Sequence, residues 1–156
     1  MQTAYSVFDG RRFFVPDYQR DYAWTLRDID QFLSDIEGVL YYEDRHCLGY
    51  LITAQMGHDD PTYILDGQQE IITLTMLFAN LVGELEDDSL RHVQYATFIK
   101  HPLRGRRLQL SSNNHLFFVE LPDNKNPTPT SAGQNRLKDA YLHIRLKVQS
   151  IKEEGG

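Results

Sequence analysis

The chain has 156 residues, of which 41% are apolar and 24% charged, a length and composition typical of one soluble globular domain with its own core. No apolar run approaches the roughly 18 residues of a membrane-spanning helix, and the N-terminus has no apolar stretch of the signal-peptide kind. The single cysteine, Cys47, excludes a disulfide within the chain, so we expect a cytoplasmic protein in which Cys47 is inert packing.

The charge is unevenly distributed along the chain. Residues 1–90 hold 5 Lys and Arg against 17 Asp and Glu, a net charge of −12, whereas residues 91–156 hold 11 against 5, a net charge of +6. The basic part can face an anionic partner such as nucleic acid. It can equally neutralise the acidic part of the same molecule, and charge alone leaves both interpretations open.

The first elements are a predicted hairpin and a helix. Two apolar-aromatic runs around Asp9-Gly10 predict a β-hairpin over residues 5–15. Apolar residues at spacings of three and four then predict an amphipathic helix over residues 26–41. Thr25 is its expected N-cap, with Asp28 in the first turn.

A second hairpin and a central helix follow. Residues 46–56 and 62–65 read as its two strands, joined by the turn MGHDDPT. The helix predicted over residues 71–85 is apolar on most sides, so we expect it in the middle of the core.

The rest of the chain is predicted to be mostly helical. Residues 89–100 favour a third helix, residues 104–111 a basic turn and short strand, and residues 113–121 a short helix. The Pro- and Asn-rich residues 122–133 are typical of a mobile loop. A last helix is predicted over residues 134–152.

This order of elements predicts the α+β class, a small mixed sheet with packed helices followed by a mostly helical part. We divide the chain into a first domain over residues 1–100 and a helical extension over residues 101–156, which we expect to pack on the first domain.

Two short polar segments lie where a strand precedes a helix. The first polar segment is Tyr18-Gln19-Arg20-Asp21-Tyr22-Ala23-Trp24, and the second polar segment is Asp66-Gly67-Gln68-Gln69-Glu70. The start of a helix exposes unpaired N–H groups and the positive end of its dipole, which favour phosphate. If the two segments meet in space, they would form a pocket for a nucleotide or a phosphodiester.

The residue types in these two segments suit a phosphate-binding pocket. Gly67 permits close backbone approach, Asp66 can hold a metal or cap the helix, and glutamine amides can donate to phosphate or orient water. Arg20 offers phosphate a bidentate fork. The alternative is structural: Asp-Gly is a turn with a cap, the glutamines lie on the surface, and the aromatic residues belong to the core.

The order of these motifs resembles the N-terminal domain of GmrSD-type restriction proteins, the domain-of-unknown-function family 262. Its signature is a QR-x-Y-x-W segment, a strand that ends in Gly, and a DGQQR-T-L box. The matching residues are Gln19, Arg20, Tyr22, Trp24, Gly49, Asp66, Gly67, Gln68, Gln69, Thr73 and Leu74. Asp35 falls where the family tends to carry an acid. The resemblance is dense over residues 13–80 and looser afterwards, although residues 135–144 fit a later family helix.

The resemblance implies a fold similar to ParB and sulfiredoxin. It also implies binding and hydrolysis of a nucleoside triphosphate, GTP or ATP, with Mg²⁺, in bacterial defence against phage DNA that carries modifications. A nuclease domain, downstream or separate, would cut the DNA. On this resemblance the catalytic residues are Asp66 (also the metal ligand), Gln68, Gln69, Gln19 and Arg20. The nucleotide-binding residues are Tyr18, Tyr22, Trp24, Gly67, Glu70 and Thr73.

Glu70 departs from the family box, which ends in Arg. A carboxylate in the first turn of a helix suits the helix dipole. It would nevertheless repel an anionic ligand bound at the same place. The departure therefore predicts impaired nucleotide hydrolysis in this chain.

Two further hypotheses belong to other classes of function. A non-catalytic module would sense DNA through a basic patch of Lys100, Arg104, Arg106 and Arg107, with His101 beside it; the alternative is a solvated loop that neutralises the acidic half. An interaction domain, or a homo-oligomer, would dock a partner on the last helix, whose apolar residues are more often plain core. Those residues are Leu137, Tyr141, Ile144, Val148 and Ile151. No zinc-ligand spacing or Walker motif is present.

Overall fold

The computed structural model describes residues 3–42, 49–123 and 125–155. Cys47 and the first three residues of the predicted strand 46–56 lie outside this part of the chain. The helices run as follows: α1 (Ala4–Phe8), α2 (Leu26–Tyr42), α3 (Gln68–Gly83), α4 (Asp88–Phe98), α5 (His115–Glu120) and α6 (Ala132–Gly155). The strands are β1 (Phe13–Phe14), β2 (Ile52–Ala54), β3 (Thr62–Asp66), β4 (Lys100–His101), β5 (Gly105–Arg106) and β6 (Leu108–Gln109).

The N-terminal hairpin predicted over residues 5–15 is wrong. Thr3 caps a short helix, because its Oγ1 accepts a hydrogen bond of 3.2 Å from the Ser6 N–H. Phe8 then faces the core with none of its surface exposed, and its ring meets that of Phe98 edge to face at 5.7 Å. Gly10 has a positive φ of 70°, and the chain leaves the helix there to enter β1.

Four strands form one sheet in the order β2-β3-β1-β6. β2 and β3 pair antiparallel, which confirms the second hairpin. β1 pairs in parallel with both β3 and β6, whose sequences lie far along the chain from it. The sheet is therefore mixed, which confirms the prediction of a small mixed sheet with packed helices. Strands β4 and β5 form a separate two-stranded antiparallel pair.

The helices predicted by apolar spacing are confirmed, with bounds shifted by a few residues. α2 begins at a capping box, in which Asp28 Oδ2 accepts from both the backbone N–H and the hydroxyl of Thr25 at 2.7 and 2.8 Å. α3 begins three residues earlier than predicted, at Gln68, so most of the second polar segment belongs to the helix. The segment predicted as a loop holds no helix or strand over residues 125–131.

The core lies where α3 and α6 pack against each other and against the sheet. Leu137 and Ile144 of α6 are completely buried there. Four of the five apolar residues that suggested a docking surface therefore serve the chain's own core, and Ile151 remains half-exposed. None of the described helices is long and apolar enough to cross a membrane.

Candidate functional site

The two polar segments meet at one edge of the sheet. β1 and β3 are parallel neighbours, and the first polar segment follows β1 while the second follows β3. The carboxyl ends of parallel strands lie at the same edge, where ligands of open α/β sheets commonly bind. The condition for a shared pocket, that the two segments meet in space, is therefore fulfilled in this fold.

Gly67 allows the second polar segment to turn from β3 into α3. Its φ is +88°, a left-handed conformation that favours glycine. A Cβ at this position would also lie 2.5 Å from the carbonyl oxygen of Tyr50. Backbone conformation and space both require glycine, and α3 consequently starts without a side-chain cap.

The two glutamines hold the segments together. Gln69 Oε1 accepts hydrogen bonds from the N–H groups of Ala23 and Trp24, at 2.8 and 3.3 Å. Gln68 Nε2 donates to the carbonyl oxygen of Arg20 at 2.8 Å. Both side chains are buried, so the interpretation of these glutamines as surface residues is wrong.

Two atoms of these amides lack a hydrogen-bond partner in the described part of the chain: Gln68 Oε1, an acceptor, and Gln69 Nε2, a donor. The Gln69 amide cannot simply be reversed, because its oxygen receives two backbone N–H groups. A buried polar atom without a partner costs about 1–3 kcal/mol. A water molecule or a polar ligand at this junction would remove that cost.

Other residues of the predicted site also position the first polar segment. Gln19 Nε2 donates to the carbonyl oxygens of Leu65 and Ile64, at 3.1 and 3.4 Å. The hydroxyls of Tyr22 and Thr73 are 2.8 Å apart. Because Thr73 donates its proton to the Gln69 carbonyl oxygen at 2.7 Å, Tyr22 is the donor to Thr73. Burial raises the pKa of Tyr22 well above its ordinary value.

Three of the predicted residues remain open to solvent. Asp66 is exposed and accepts the Gly67 N–H through Oδ1 at 2.9 Å. Arg20 is exposed, and Tyr18 exposes 74% of its surface. Within residues 3–42, 49–123 and 125–155, no three Asp, Glu, His or Cys side chains are placed to share a metal ion. Asp66 thus offers a metal a single carboxylate, which fits an ion whose other ligands are phosphate oxygens and water.

Glu70 lines an acidic cleft of about 260 Å³. The cleft lies between α2 and the start of α3. Gly49 lies beside Glu70, since a Cβ on this glycine would be 3.5 Å from Glu70 Cγ. The lining residues are Trp24, Asp28, Gln31, Phe32, Asp35 and Glu70. An arginine at position 70 would therefore face two carboxylates, whereas Glu70 adds a third.

The basic patch is assembled differently from the prediction. Arg107 is buried, and its guanidinium donates to the carbonyl oxygens of Ala96 and Arg11 at 3.1 to 3.2 Å. Burial lowers its pKa, although an arginine stays charged. His101 Nδ1 accepts the N–H groups of Leu103 and Arg104, so this ring shapes the loop.

The other three basic residues line one open cleft of about 510 Å³, which we call the basic cleft. Eight further residues, which sequence reasoning missed, complete its lining. Its residues with a cationic or aromatic side chain are Arg12, Phe13, Phe14, Tyr63, Lys100, Arg104, Arg106 and His115, of which Phe13 is buried. The parallel pairing of β1 with β3 and β6 brings residues from distant parts of the chain to this cleft. No local sequence pattern predicts that pairing.

Comparison with models of known families gives a match to "GmrSD restriction endonuclease, N-terminal domain" over residues 5–154. The match covers nearly the whole chain and confirms the resemblance drawn from the motifs. Among curated proteins no match is found.

Proposed function

Since the chain belongs to the family of GmrSD restriction endonuclease N-terminal domains, we propose that it is the nucleotide-binding and hydrolysing regulatory domain of a bacterial anti-phage restriction system that acts on modified DNA. The observation that carries the proposal is the junction of the two polar segments. There the uncapped start of α3 lies beside a buried donor and a buried acceptor that have no partner in the described chain.

The open and the buried residues of this junction have different roles. Asp66 and Arg20, which are exposed, would contact Mg²⁺ and phosphate. Gln69 Nε2 would donate to a phosphate oxygen or hold the attacking water. Magnesium, when bound with the nucleotide, neutralises charge that develops on the phosphate oxygens.

Gln19, Tyr22 and Thr73 would act as positioning residues. Their side chains tie the first polar segment to β3 and α3, which fixes the backbone that presents Arg20. Tyr18 and Trp24 are the first and last residues of this segment and would supply a stacking surface for the base. Glu70 would weaken phosphate binding because its negative charge repels phosphate. The other charged residues that line its cleft, Asp28 and Asp35, are also acidic and do not neutralise it.

The test is phosphate release by the purified chain with Mg-GTP and Mg-ATP, beside Glu70→Arg. We expect little turnover by the unaltered chain and more by Glu70→Arg, because the substitution replaces one of the three carboxylates of the acidic cleft with a cation. In the Glu70→Arg background, Asp66→Ala and Gln19→Ala should abolish turnover, whereas Asp139→Ala and Gln149→Ala on α6 should not. Turnover that survives both Asp66→Ala and Gln19→Ala would refute the assignment.

A second candidate, DNA binding without turnover, is favoured by the convergence of Lys100, Arg104 and Arg106 on the basic cleft. Binding through phosphate contacts releases counterions, so affinity should fall steeply as salt is added. A flat salt dependence, or full affinity in Lys100→Gln/Arg104→Gln, would exclude the cleft as the DNA site.

A further inference from the structure

We propose that the basic cleft binds unpaired nucleotides of a DNA strand, with bases against Phe14 and Tyr63 and phosphates against the surrounding cations. This inference rests on the second candidate function, DNA binding at the same cleft. It goes further because it names the form of DNA, unpaired rather than duplex, and two residues that would read it.

Two aromatic side chains of the sheet, Phe14 and Tyr63, line the base of the cleft. Phe14 of β1 is in register with Tyr63 of β3 on one side and with Gln109 of β6 on the other. Side chains alternate between the faces of a strand, and their neighbours Phe13 and Ile64 are buried in the core. Phe14, Tyr63 and Gln109 therefore form a row across three strands on the face that points away from that core.

This row has the chemistry of a stacking platform. The rings of Phe14 and Tyr63 meet edge to face at 5.4 Å, with 80° between their planes. An edge-to-face contact covers one face of one ring, so the other faces of the pair are not occupied by this contact. Both side chains are half-buried and line the cleft. Aromatic residues on a sheet surface, held at a fixed spacing, suit successive bases of a single strand.

Cations surround the aromatic row. Arg12 directly precedes β1, Lys100 belongs to β4 and Arg106 to β5, so the β4–β5 pair carries positive charge to the edge of the sheet. Arg104, in the turn between these two strands, is exposed. No carboxylate occurs among the residues that line the cleft in the described chain. The chain as a whole has a net charge of −6, so a cleft lined by cations without carboxylates is a surface that attracts a phosphate backbone.

His115 adds a hydrogen-bond donor at the same place. Its Nδ1 accepts the Leu110 N–H at 3.3 Å, so in the neutral ring the proton is on Nε2. Burial, and then the charge of Arg106, lower the pKa of His115. The ring is therefore neutral at pH 7 and has one N–H to offer a phosphate or a base edge.

Unpaired DNA fits this chemistry better than duplex DNA. In a duplex the π-faces of the bases are stacked on each other, so only phosphates, sugars and base edges would reach the protein and no base could stack on the aromatic row. A single strand can place its bases on the rings while its phosphates follow the cations. Half-buried aromatic side chains in a cation-lined cleft are the feature that separates the two forms.

The experiment measures fluorescence anisotropy of a labelled thymidylate single strand and of a matched duplex with the full chain. We expect the single strand to bind more tightly. Tyr63→Leu and Phe14→Leu should each weaken single-strand binding by about 5- to 100-fold and leave duplex binding within about twofold, since stacking acts on single strands alone. Tyr41→Leu, on the exposed surface of α2, is the matched control.

Further arms separate the alternatives. Lys100→Gln/Arg104→Gln should weaken both forms of DNA, since it removes phosphate contacts; if that occurs while Tyr63→Leu changes nothing, the DNA role stands and the stacking inference fails. Absence of binding to either form overturns both. Displacement of the strand by thymidine monophosphate at equal nucleotide concentration would mean a free-nucleotide site and would also overturn the inference.

If the aromatic variants do not fold, a 5-iododeoxyuridine strand should photo-crosslink to Tyr63 or Phe14 of the unaltered chain, and crosslinks confined to other residues would refute the inference.

Discussion

The side-chain oxygen of Gln69 accepts a 2.8 Å hydrogen bond from the backbone N–H of Ala23, 46 residues earlier in the chain. This is one of three hydrogen bonds that join the second polar segment to the first, with those of Trp24 N–H to Gln69 and of Gln68 to Arg20. The glutamine of the box thus shapes the loop that carries Arg20, besides any contact with a ligand. Removing the Gln69 side chain therefore affects the stability of the chain as well as any ligand binding, and the change in stability can be measured without a ligand.

Gln69→Ala should lower the free energy of unfolding by about 1–3 kcal/mol, because two backbone N–H groups lose their acceptor. Urea denaturation followed by circular dichroism measures this loss. Gln149→Ala, on α6, is the control and should change stability by less than about 0.5 kcal/mol. Equal stability of the two variants would show that the Gln69 contacts do not hold the first polar segment.

Gly67→Ala should destabilise the chain by about 1–3 kcal/mol or more, from the left-handed backbone alone. The added Cβ would also collide with the carbonyl oxygen of Tyr50 at 2.5 Å. A Cβ added to Gly38, within α2, would have no atom within 4 Å, so Gly38→Ala should instead stabilise by about 0.5–1 kcal/mol. Thermal unfolding of both variants should show opposite shifts of Tm.

The elements that sequence predicts well are those whose signal is local. α2 and α6 repeat apolar residues every three or four positions, and that spacing needs no information from elsewhere in the chain. β1 has only two residues, and Phe13–Phe14 become a strand because they pair with residues 62–63 and 108–109. The N-terminal helix escapes prediction for a related reason, since five residues with a threonine cap are too short for periodicity to decide.

The candidate site shows the same division. The motif residues can be identified from their order along the chain, but their partners cannot. Gln19, Tyr22 and Gln69 form hydrogen bonds to residues 45 to 51 positions away. Those contacts separate residues that position the loop from the exposed Asp66 and Arg20. Arg107 is the converse case, a member of a basic cluster whose guanidinium is bound inside the fold.

Tyr22→Phe removes the hydroxyl that donates to Thr73 and should cost about 1 kcal/mol at neutral pH. Burial raises the pKa of Tyr22 above its ordinary value of 10.0. The stabilising effect of the protonated ring is therefore complete below pH 10 and is lost as the pH rises toward the folded-state pKa. The unaltered chain should lose stability above pH 10, and Tyr22→Phe should lose less of it. Chemical denaturation across pH 8 to 11 measures both, and parallel curves would contradict the assignment.

Asp30 of α2 and His143 of α6 link two helices of the core at their exposed side, with Oδ1 and Nε2 2.7 Å apart. The hydrogen bond from His143, more than any other contact, lowers the pKa of Asp30 below its ordinary value of 3.8. This stabilisation is present above pH 3.8 and is lost as the pH falls through the lower folded-state value. Because the pair is partly exposed, Asp30→Asn should cost at most about 1 kcal/mol at pH 7. The difference in unfolding free energy between the variant and the unaltered chain should shrink as the pH falls below that value. Asp139→Asn, which removes an exposed carboxylate elsewhere, on α6, is the matched control and should show a smaller pH-dependent difference.

Glu70→Arg should stabilise the chain even without a nucleotide. Glu70 shares its cleft with Asp28 and Asp35, so the substitution replaces like-charge repulsion with attraction to both carboxylates. On a partly exposed surface each of the two changed charge pairs contributes up to about 1 kcal/mol at low ionic strength. The lost interaction of Glu70 with the helix dipole, about 0.3–1 kcal/mol, opposes this gain and leaves a net gain below about 1 kcal/mol. Glu70→Gln, which removes the charge without reversing it, should give a smaller gain. High salt should reduce both gains, because screening weakens interactions between exposed charges. A gain for Glu70→Arg that persists in high salt would instead assign the effect to packing of the longer side chain against Trp24 and Phe32.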